Sequence, residues 1–183
     1  MRSSTASSSK ESSTAEAPRA EAGAAGGRAA GSRSRAWLFV GLVALGVIAA
    51  DQLTKRAIRG SITPGDEHRL LPGVDLVNTR NRGVAFGFLP GSHVGVTVLI
   101  GVALLVLLIY FWRHAGERLI WLPTGMLLGG ALGNIIDRLR EDAVTDFVKL
   151  PLGWPPFNLA DLSITLGILA MALVIDHSRR GNP

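Results

Sequence analysis

The chain has 183 residues, enough for one domain, and 48% of them are hydrophobic. Its 19 Lys and Arg residues and net charge of +5 form no basic stripe interleaved with aromatic residues, which argues against nucleic acid as a partner. The absence of cysteine excludes disulfides, zinc–thiolate sites and thiol nucleophiles, and the four histidines lack the spacing of a metal site. We therefore expect chemistry based on carboxylates, hydroxyls or Lys55, with no metal and no cofactor.

The chain begins with a polar stretch and continues with four apolar blocks. Residues 1–35 are mostly Ser, Ala, Gly, Arg and Glu without an aromatic residue, a composition that predicts a disordered tail. The apolar blocks approach the roughly 20 residues that a helix needs to cross the hydrocarbon core. They cover about 36–55, 93–112, 119–137 and 157–175, and a short tail follows at 177–183. The sequence therefore predicts a mainly α, polytopic membrane protein, a four-transmembrane-helix bundle built from residues 36–176.

A long polar connection joins the first two predicted helices, at about residues 60–92. Within it, residues 70–79 contain a Pro-Gly turn signal followed by partial alternation of apolar and polar residues, which predicts short β-strands at the membrane surface. Because the number of helices is even, both termini are expected on one side of the membrane. Counting Lys and Arg on the two sides does not determine which side is cytoplasmic.

The unusual polar residues converge on one end of this predicted bundle. In an up-down-up-down arrangement, the end of helix one, the start of helix two, the end of helix three and the start of helix four meet at one membrane rim. The residues that fall there are Asp51, Lys55, Asn81, Asn134, Asp137, Arg138, Asp146, Asn158 and Asp161. Spacings of i, i+3 and i+4 place the members in helices three and four on one side of each helix. Small residues at 129–133 allow close helix packing in lipid.

Asp161 is the most informative of these residues, because it is the only charged one between positions 157 and 175. A carboxylate that reaches the centre of a membrane costs roughly 2.5–3.5 kcal/mol on insertion. Asp146 is predicted at the same rim. Two neighbouring carboxylates that share one proton are the chemistry of an aspartic protease.

The supporting residues also have purely structural interpretations. Asp51 and Lys55 are spaced i,i+4 and can form an ion pair at a helix end. Asp137 and Arg138 can form an ion pair at the rim. Asn158 can cap helix four by accepting a hydrogen bond from a free backbone N–H. From spacing alone, these interpretations stand beside a role at an active site.

Five short segments carry a family resemblance. They are DQLTK at 51–55, NRGVAFG at 81–87, GGALGNIIDR at 129–138, VTDF at 144–147 and FNLAD at 157–161. Together they resemble the sequence blocks of bacterial lipoprotein signal peptidases (signal peptidase II), and the resemblance covers about residues 36–176. It implies an aspartic endopeptidase that acts without metal or cofactor. The implied reaction removes signal peptides from diacylglyceryl-modified prolipoproteins, on the amino side of the lipidated cysteine.

The resemblance also implies roles for individual residues. The two catalytic aspartates map to Asp146 and Asp161. The implied supporting residues are Asp51, Asn81, Asn134, Arg138 and Asn158, with Lys55 and Asp137 beside them. Residues 84–89 resemble a lid over the substrate. From their positions, the aromatic side chains expected to cover the scissile bond are Phe86, Phe88 and Phe147.

The family's location and partners are likewise implied. The protein is expected in the bacterial cytoplasmic membrane, with both termini in the cytoplasm and the active site on the extracytoplasmic side. The connection at 60–92 would form an extracytoplasmic β-cradle. Expected partners are prolipoproteins with a diacylglyceryl-cysteine lipobox and membrane lipids, with no nucleic acid, and the protein is expected to be a monomer. The family's cyclic peptide antibiotic globomycin is expected to inhibit it.

Three other functional classes are alternatives. A serine–lysine peptidase would use Ser163 or another hydroxyl with Lys55, but no nucleophile motif surrounds any of these serines. A small transporter or ion-coupled protein would use Asp161 as a proton or ion site, although such groups usually lie near the membrane midplane between repeated halves. A non-catalytic membrane scaffold would explain the helices but not the convergence of polar residues.

Overall fold

The computed structural model of the chain describes residues 17–82, 93–117 and 119–180. Helices in these ranges are α1 (Ala17–Ser61), α2 (His93–His114), α3 (Trp121–Glu141) and α4 (Leu159–Arg180). Strands there are β1 (Glu67–Leu71), β2 (Val74–Asn81) and β3 (Val144–Lys149). Each predicted apolar block thus coincides with a helix, and α3 contacts the other three helices. α3 is therefore the centre of the bundle.

Two of the helix boundaries differ from the predicted ones. α1 begins at Ala17, inside the stretch predicted to be a disordered tail. Its first half is rich in Ala, which has the highest helix propensity, and a helix nucleated by the following apolar block can propagate back through it. α4 continues to Arg180, so most of the predicted short tail at 177–183 is helical.

The apolar character of the helices is uneven. Two helical segments, Arg33–Ser61 and Leu159–Arg180, are long and apolar enough to cross a membrane by length and composition, and Val98–His114 of α2 is a shorter apolar helix. α3 differs from them because it packs against three neighbours and buries polar residues, among them Thr124, Asn134 and Asp137. The fold is therefore mainly helical, with membrane-capable helices arranged around a polar-faced central one.

Glycines of α3 allow this central helix to approach its neighbours closely. Gly129 and Gly133 lie one turn apart on the face toward α1. A Cβ added at Gly129 would lie 2.8 Å from the carbonyl oxygen of Ala44. On the face toward α4, a Cβ at Gly130 would lie 2.5 Å from the carbonyl oxygen of Ala160. The close packing predicted from residues 129–133 is thus present on both faces.

Replacing Gly130 with Ala is expected to destabilise the protein by about 1–3 kcal/mol, because the added methyl group would meet backbone atoms that can move only if the helices separate. The matched control is Gly46→Ala in α1, where an added Cβ meets nothing within 4 Å. That change is expected to be neutral or to stabilise by up to about 1 kcal/mol. Thermal unfolding in detergent measures both. Equal effects of the two substitutions would contradict the close α3–α4 contact.

The three strands form one antiparallel sheet in the order β1-β2-β3. β1 and β2 form a hairpin whose turn contains Gly73 at a φ of 81°, in the region predicted to contain strands. β3 was not predicted, because it comes from the connection between α3 and α4. It follows a left-handed residue, Asp142, that ends α3 by donating its N–H to the carbonyl oxygen of Arg138. This turn directs the chain into the sheet.

The sheet is held against α1 by an apolar cluster and a hydrogen bond. Phe147 of β3 packs with Ile58 and Ile62 of α1. The side-chain amide of Asn78 donates to the carbonyl oxygen of Ile62 at 2.7 Å. The expectation that Phe147 covers a scissile bond is therefore wrong, because its side chain faces the core, where burying its apolar surface stabilises the fold. The expected lid at 84–89, with Phe86 and Phe88, lies outside the described residues.

Candidate active site

The predicted polar residues lie where β3, the end of α3 and the start of α4 meet the second half of α1. Asp146 is in β3 and is 2% exposed. The register of the sheet pairs Thr79 with Asp146 and Asn81 with Val144. This places the side-chain amide of Asn81 where it donates to Asp146 Oδ2 at 3.0 Å. Pairing between β2 and β3 therefore positions the first of the two predicted catalytic carboxylates.

The start of α4 positions the second carboxylate. Asn158 precedes the helix, and its Oδ1 accepts the backbone N–H of Asp161 at 2.9 Å. Asp161 Oδ2 in turn accepts the backbone N–H of Asn158 at 3.2 Å. This reciprocal pair is a capping box, which satisfies backbone donors that a helix start otherwise leaves without partners. The predicted cap at Asn158 is confirmed, and it fixes Asp161 at the same time.

The two aspartates are joined through asparagine side chains. The amide of Asn158 donates to Asp146 Oδ1 at 2.7 Å and to Asn134 Oδ1 at 3.2 Å. The amide of Asn134 donates to Asp161 Oδ1 at 2.8 Å. Asn158 therefore contacts both carboxylates, one through its side chain and the other through its backbone. It is fully buried, which makes this link rigid.

The environment of Asp146 raises the pKa of its carboxyl. Burial raises the pKa of the Asp146 carboxyl to about 6, and the nearby charge of Asp161 adds to the rise. Hydrogen bonds from Asn81 and Asn158 act in the opposite direction, because they stabilise the carboxylate. A carboxyl with this pKa can hold or release a proton near neutral pH.

Lys55 is at the centre of a second, fully buried cluster. Its ammonium lies 2.8 Å from Asp51 Oδ2, 3.0 Å from Asp137 Oδ2 and 2.9 Å from Asn134 Oδ1. These contacts match the three N–H donors of the group. Ser163 instead donates its hydroxyl to the carbonyl oxygen of Met126. The geometry thus gives no support to a serine–lysine pair, since Lys55 is already bound by three other side chains.

Asp51 and Asp137, the acidic partners of Lys55, also bind backbone N–H groups next to Asp161 and Asp146. Asp51 Oδ1 accepts the N–H of Ala160, in the first turn of α4, at 3.0 Å. Asp137 Oδ2 accepts the N–H of Thr145, next to Asp146, at 3.1 Å. The buried ion pairs therefore connect α1 and α3 to both segments that carry the predicted catalytic residues.

Arg138 is half-buried at the edge of the cluster. Its Nη1 donates to the carbonyl oxygen of Asn134 at 3.2 Å, and its charge lies within electrostatic range of Asp161 and Asp146. With Arg138 included, all the predicted site residues belong to one connected network of hydrogen bonds and ion pairs. Asp161 lies in the first turn of α4, at the end of the helix. The transporter alternative would instead place it near the midplane.

Two side chains that donate hydrogen bonds within the network were not predicted. Gln52 donates to Asp137 Oδ1 at 2.9 Å and to the carbonyl oxygen of Gly133 at 3.2 Å. Arg59 donates to the hydroxyl of Thr145 at 2.9 Å. Arg59 lies one turn beyond Lys55 in α1, so helical spacing could have indicated it. Across the described residues, no group of three or more His, Asp or Glu side chains is arranged to hold a metal ion.

Comparisons with known proteins agree with this arrangement. The family model of Signal peptidase (SPase) II matches residues 43–176. A lipoprotein signal peptidase of Burkholderia thailandensis is 42% identical over an alignment of 151 positions that covers 79% of this chain and 88% of the relative. One of Paraburkholderia phymatum is 40% identical over the same shares of each chain.

Two solved structures are similar to this fold, and each is described as a bacterial membrane enzyme determined by the in meso method. The first, at 2.3 Å resolution, has a TM-score of 0.73 and 28% identity over 79% of this chain and 91% of that one. The second, at 1.9 Å resolution, has a TM-score of 0.64 and 29% identity over 74% and 91%. With the family model matching most of the chain, these findings show that it belongs to the signal peptidase II family and is a peptidase.

Proposed function

We propose that Asp146 and Asp161 are the catalytic pair with which this signal peptidase II cleaves signal peptides from diacylglyceryl-modified prolipoproteins. The observation that carries the proposal is that Asn158 contacts both carboxylates, at 2.7 Å from Asp146 and, through its backbone N–H, at 3.2 Å from Asp161. The link holds two carboxylates of low exposure next to each other, with asparagine amides between them rather than a cation. A structural role alone would be better served by pairing each with a cation, as Lys55 pairs with Asp51.

The pair acts with one shared proton and one water molecule. The ionised aspartate takes a proton from the water as its oxygen attacks the scissile carbonyl carbon. The protonated aspartate donates a hydrogen bond to the oxygen on which negative charge develops, and it then gives its proton to the leaving amine. The C–N bond breaks, the carboxyl end of the signal peptide is released, and the first aspartate retains the proton taken from water. The pair thus regains one proton in each turnover.

We assign the resting proton to Asp146. Burial raises the pKa of its carboxyl to about 6. Asp161 lies at the third position of α4, where the positive end of the helix dipole stabilises a negative charge. Asp161 is therefore the base that activates water, and Asp146 is the acid.

Activity should fall as the pH rises through the pKa of the acid. The expected profile of kcat/KM for the free enzyme declines above about pH 6, by tenfold per unit, as Asp146 loses its proton. Asn81→Ala removes a donor that stabilises the Asp146 carboxylate, so the pKa rises and the declining limb moves to higher pH. Arg80→Gln, on the same strand but paired with Glu141, is the control and should leave the limb in place. A shift to lower pH in Asn81→Ala would contradict the assignment.

We further propose that all four helices cross the bacterial cytoplasmic membrane, with both termini in the cytoplasm. α2 supports this because it is apolar and exposes large side chains such as Leu99, Leu105 and Trp112. The sheet and the two aspartates lie at the same end of the bundle, which would be the extracytoplasmic end. There the sheet forms a cradle, and the acyl chains of a lipidated substrate can stay in the membrane while the scissile bond meets water.

The test of the proposed function uses purified full-length protein and one prolipoprotein, prepared with and without its diacylglyceryl group. Signal-peptide release is expected only from the modified form, with cleavage before the lipidated cysteine, and globomycin is expected to block it. Mass spectrometry of the products identifies the cleaved bond. Equal cleavage of both forms, or cleavage unaffected by globomycin, would contradict the proposed substrate.

A further inference from the structure

A groove of about 470 Å³ lies at the end of the bundle opposite the aspartates. It is formed by the last turns of α2 and α4 and by the segment after α2. Its lining residues are Tyr110, His114, Glu117, Ile175, Ser178 and Arg179. The 21 residues of α3 span about 30 Å between this end and the aspartates. The groove is therefore a separate site that peptide hydrolysis does not use.

The groove brings a carboxylate and a guanidinium group together. Glu117 accepts a hydrogen bond from the hydroxyl of Ser178 at 3.1 Å, and Arg179 follows Ser178 in the chain. Both Glu117 and Arg179 lie within electrostatic range of the Tyr110 hydroxyl. The ring of His114 stacks on Tyr110 at a centroid distance of 4.2 Å, and its Nδ1 lies 2.8 Å from the Tyr110 carbonyl oxygen. The polar groups of the groove are thus held in place from both helices.

This combination of charges suits a ligand that itself carries both signs. The carboxyl ends of α2 and α4 both face this region, and the partial negative charge of a helix carboxyl end favours a cation. A simple anion would be repelled by the helix ends and by Glu117. A simple cation would be repelled by Arg179. A zwitterion with an ammonium beside Glu117 and a phosphate beside Arg179 and His114 satisfies every charged group.

The surfaces beside the groove are apolar and continue along the bundle. On α2, Val106 is 61% exposed, and on α4, Ile168, on the same side of the helix as Ile175, is 57% exposed. Trp112 is exposed at this end of the bundle. Phe111, the residue before it, contacts Trp37 with the two ring centroids 4.7 Å apart. Tryptophans in such positions are typical of a membrane interface. A ligand in the groove would therefore have its polar part at the interface and hydrocarbon within reach.

We propose that this groove binds the headgroup of a phospholipid of the cytoplasmic leaflet that carries a primary ammonium on a phosphodiester, as phosphatidylethanolamine does. Glu117 binds the ammonium, Arg179 binds the phosphate, and the acyl chains lie along the exposed faces of α2 and α4. The proposal rests on the membrane topology proposed above and is independent of the catalytic pair.

Native mass spectrometry of the full-length protein, titrated in detergent with lipids of identical acyl chains, tests the proposal. Phosphatidylethanolamine is expected to bind about tenfold more tightly than phosphatidylcholine, whose methylated ammonium cannot donate hydrogen bonds to Glu117. Glu117→Gln is expected to remove this preference. Arg179→Gln is expected to weaken binding of both lipids by about tenfold.

The matched control is Arg180→Gln, which removes the adjacent charge from a side chain that pairs with Asp176 at 3.0 Å, outside the groove. It is expected to leave binding unchanged. A retained preference in Glu117→Gln, or equal losses in Arg179→Gln and Arg180→Gln, would overturn the proposal. Displacement of the lipid by water-soluble O-phosphoethanolamine at equal concentration would overturn the assignment to a lipid.

Signal-peptide release by these variants should match that of the unaltered protein. Failure of the lipid site and failure of the peptidase assignment therefore appear in different assays.

Discussion

Asp146→Asn and Asp161→Asn are each expected to lower the kcat for signal-peptide release by about 10²–10⁴-fold, since each removes one half of the proposed acid–base pair. The substitutions keep the size of the side chain, and an Asn oxygen can still accept one of the hydrogen bonds that the aspartate received. The fold should therefore survive, and loss of activity would reflect chemistry. Release of the signal peptide from a diacylglyceryl-modified prolipoprotein is the measurement.

Asp75→Asn provides the matched control, because Asp75 lies in the same sheet with its carboxylate 4.0 Å from Arg69 at the surface. It is expected to retain full activity. Thermal unfolding of all three variants separates a catalytic defect from a folding defect. Full activity in either Asp146→Asn or Asp161→Asn would exclude the proposed pair.

Lys55→Met is expected to destabilise the protein by about 3–5 kcal/mol, because it leaves the buried carboxylates of Asp51 and Asp137 without their cation. Both carboxylates lie within 3.0 Å of the Lys55 ammonium, and all three side chains are almost completely buried. Chemical unfolding in detergent measures the loss. Adding Asp51→Asn to Lys55→Met is expected to recover part of it, since one uncompensated charge is then removed.

The control for this substitution is Lys149→Met, which breaks the exposed ion pair between Lys149 and Glu67. Exposed pairs contribute only about 0–1 kcal/mol, so a small change is expected. If Lys55→Met were no more destabilising than Lys149→Met, the buried cluster would not contribute to stability as the geometry requires.

The sequence predicts the helices and the convergence of the site because both depend on local patterns. Apolar runs of membrane length mark the helices, and a capping residue followed by a carboxylate three positions later marks the start of α4. Helical spacing then places Asn134 and Asp137 on one face of α3. Once the helices alternate in direction, the ends that carry these residues must lie at the same rim.

The sequence does not predict strand β3, because the features that determine this strand are not local in the sequence. Residues 144–147 are all buried, so the alternation of apolar and polar residues that marks a half-buried strand is absent. Its conformation depends on pairing with β2, more than sixty residues earlier in the chain. The same reason explains the wrong expectation for Phe147: its direction is set by the pairing register, which fixes the face on which each side chain lies.

The hydrogen-bond partners within the network were also beyond prediction from the sequence alone. Gln52 follows Asp51 in the DQLTK segment at 51–55, yet nothing in the spacing shows that its side-chain amide reaches Asp137 and Gly133 of α3. Such contacts depend on the distance between α1 and α3. That distance is set by the glycines of α3, through packing that only the folded chain reveals.

The absence of a side chain at Gly133 links the positions of α3, α1 and α4. A methyl group there would lie 2.8 Å from Asp51 Oδ2. The other oxygen of Asp51 holds the N–H of Ala160, and the next residue is Asp161. A displacement at position 133 would therefore pass through one carboxylate to the start of α4. A change as small as one methyl group, well inside the bundle, would therefore displace Asp161, the proposed catalytic base.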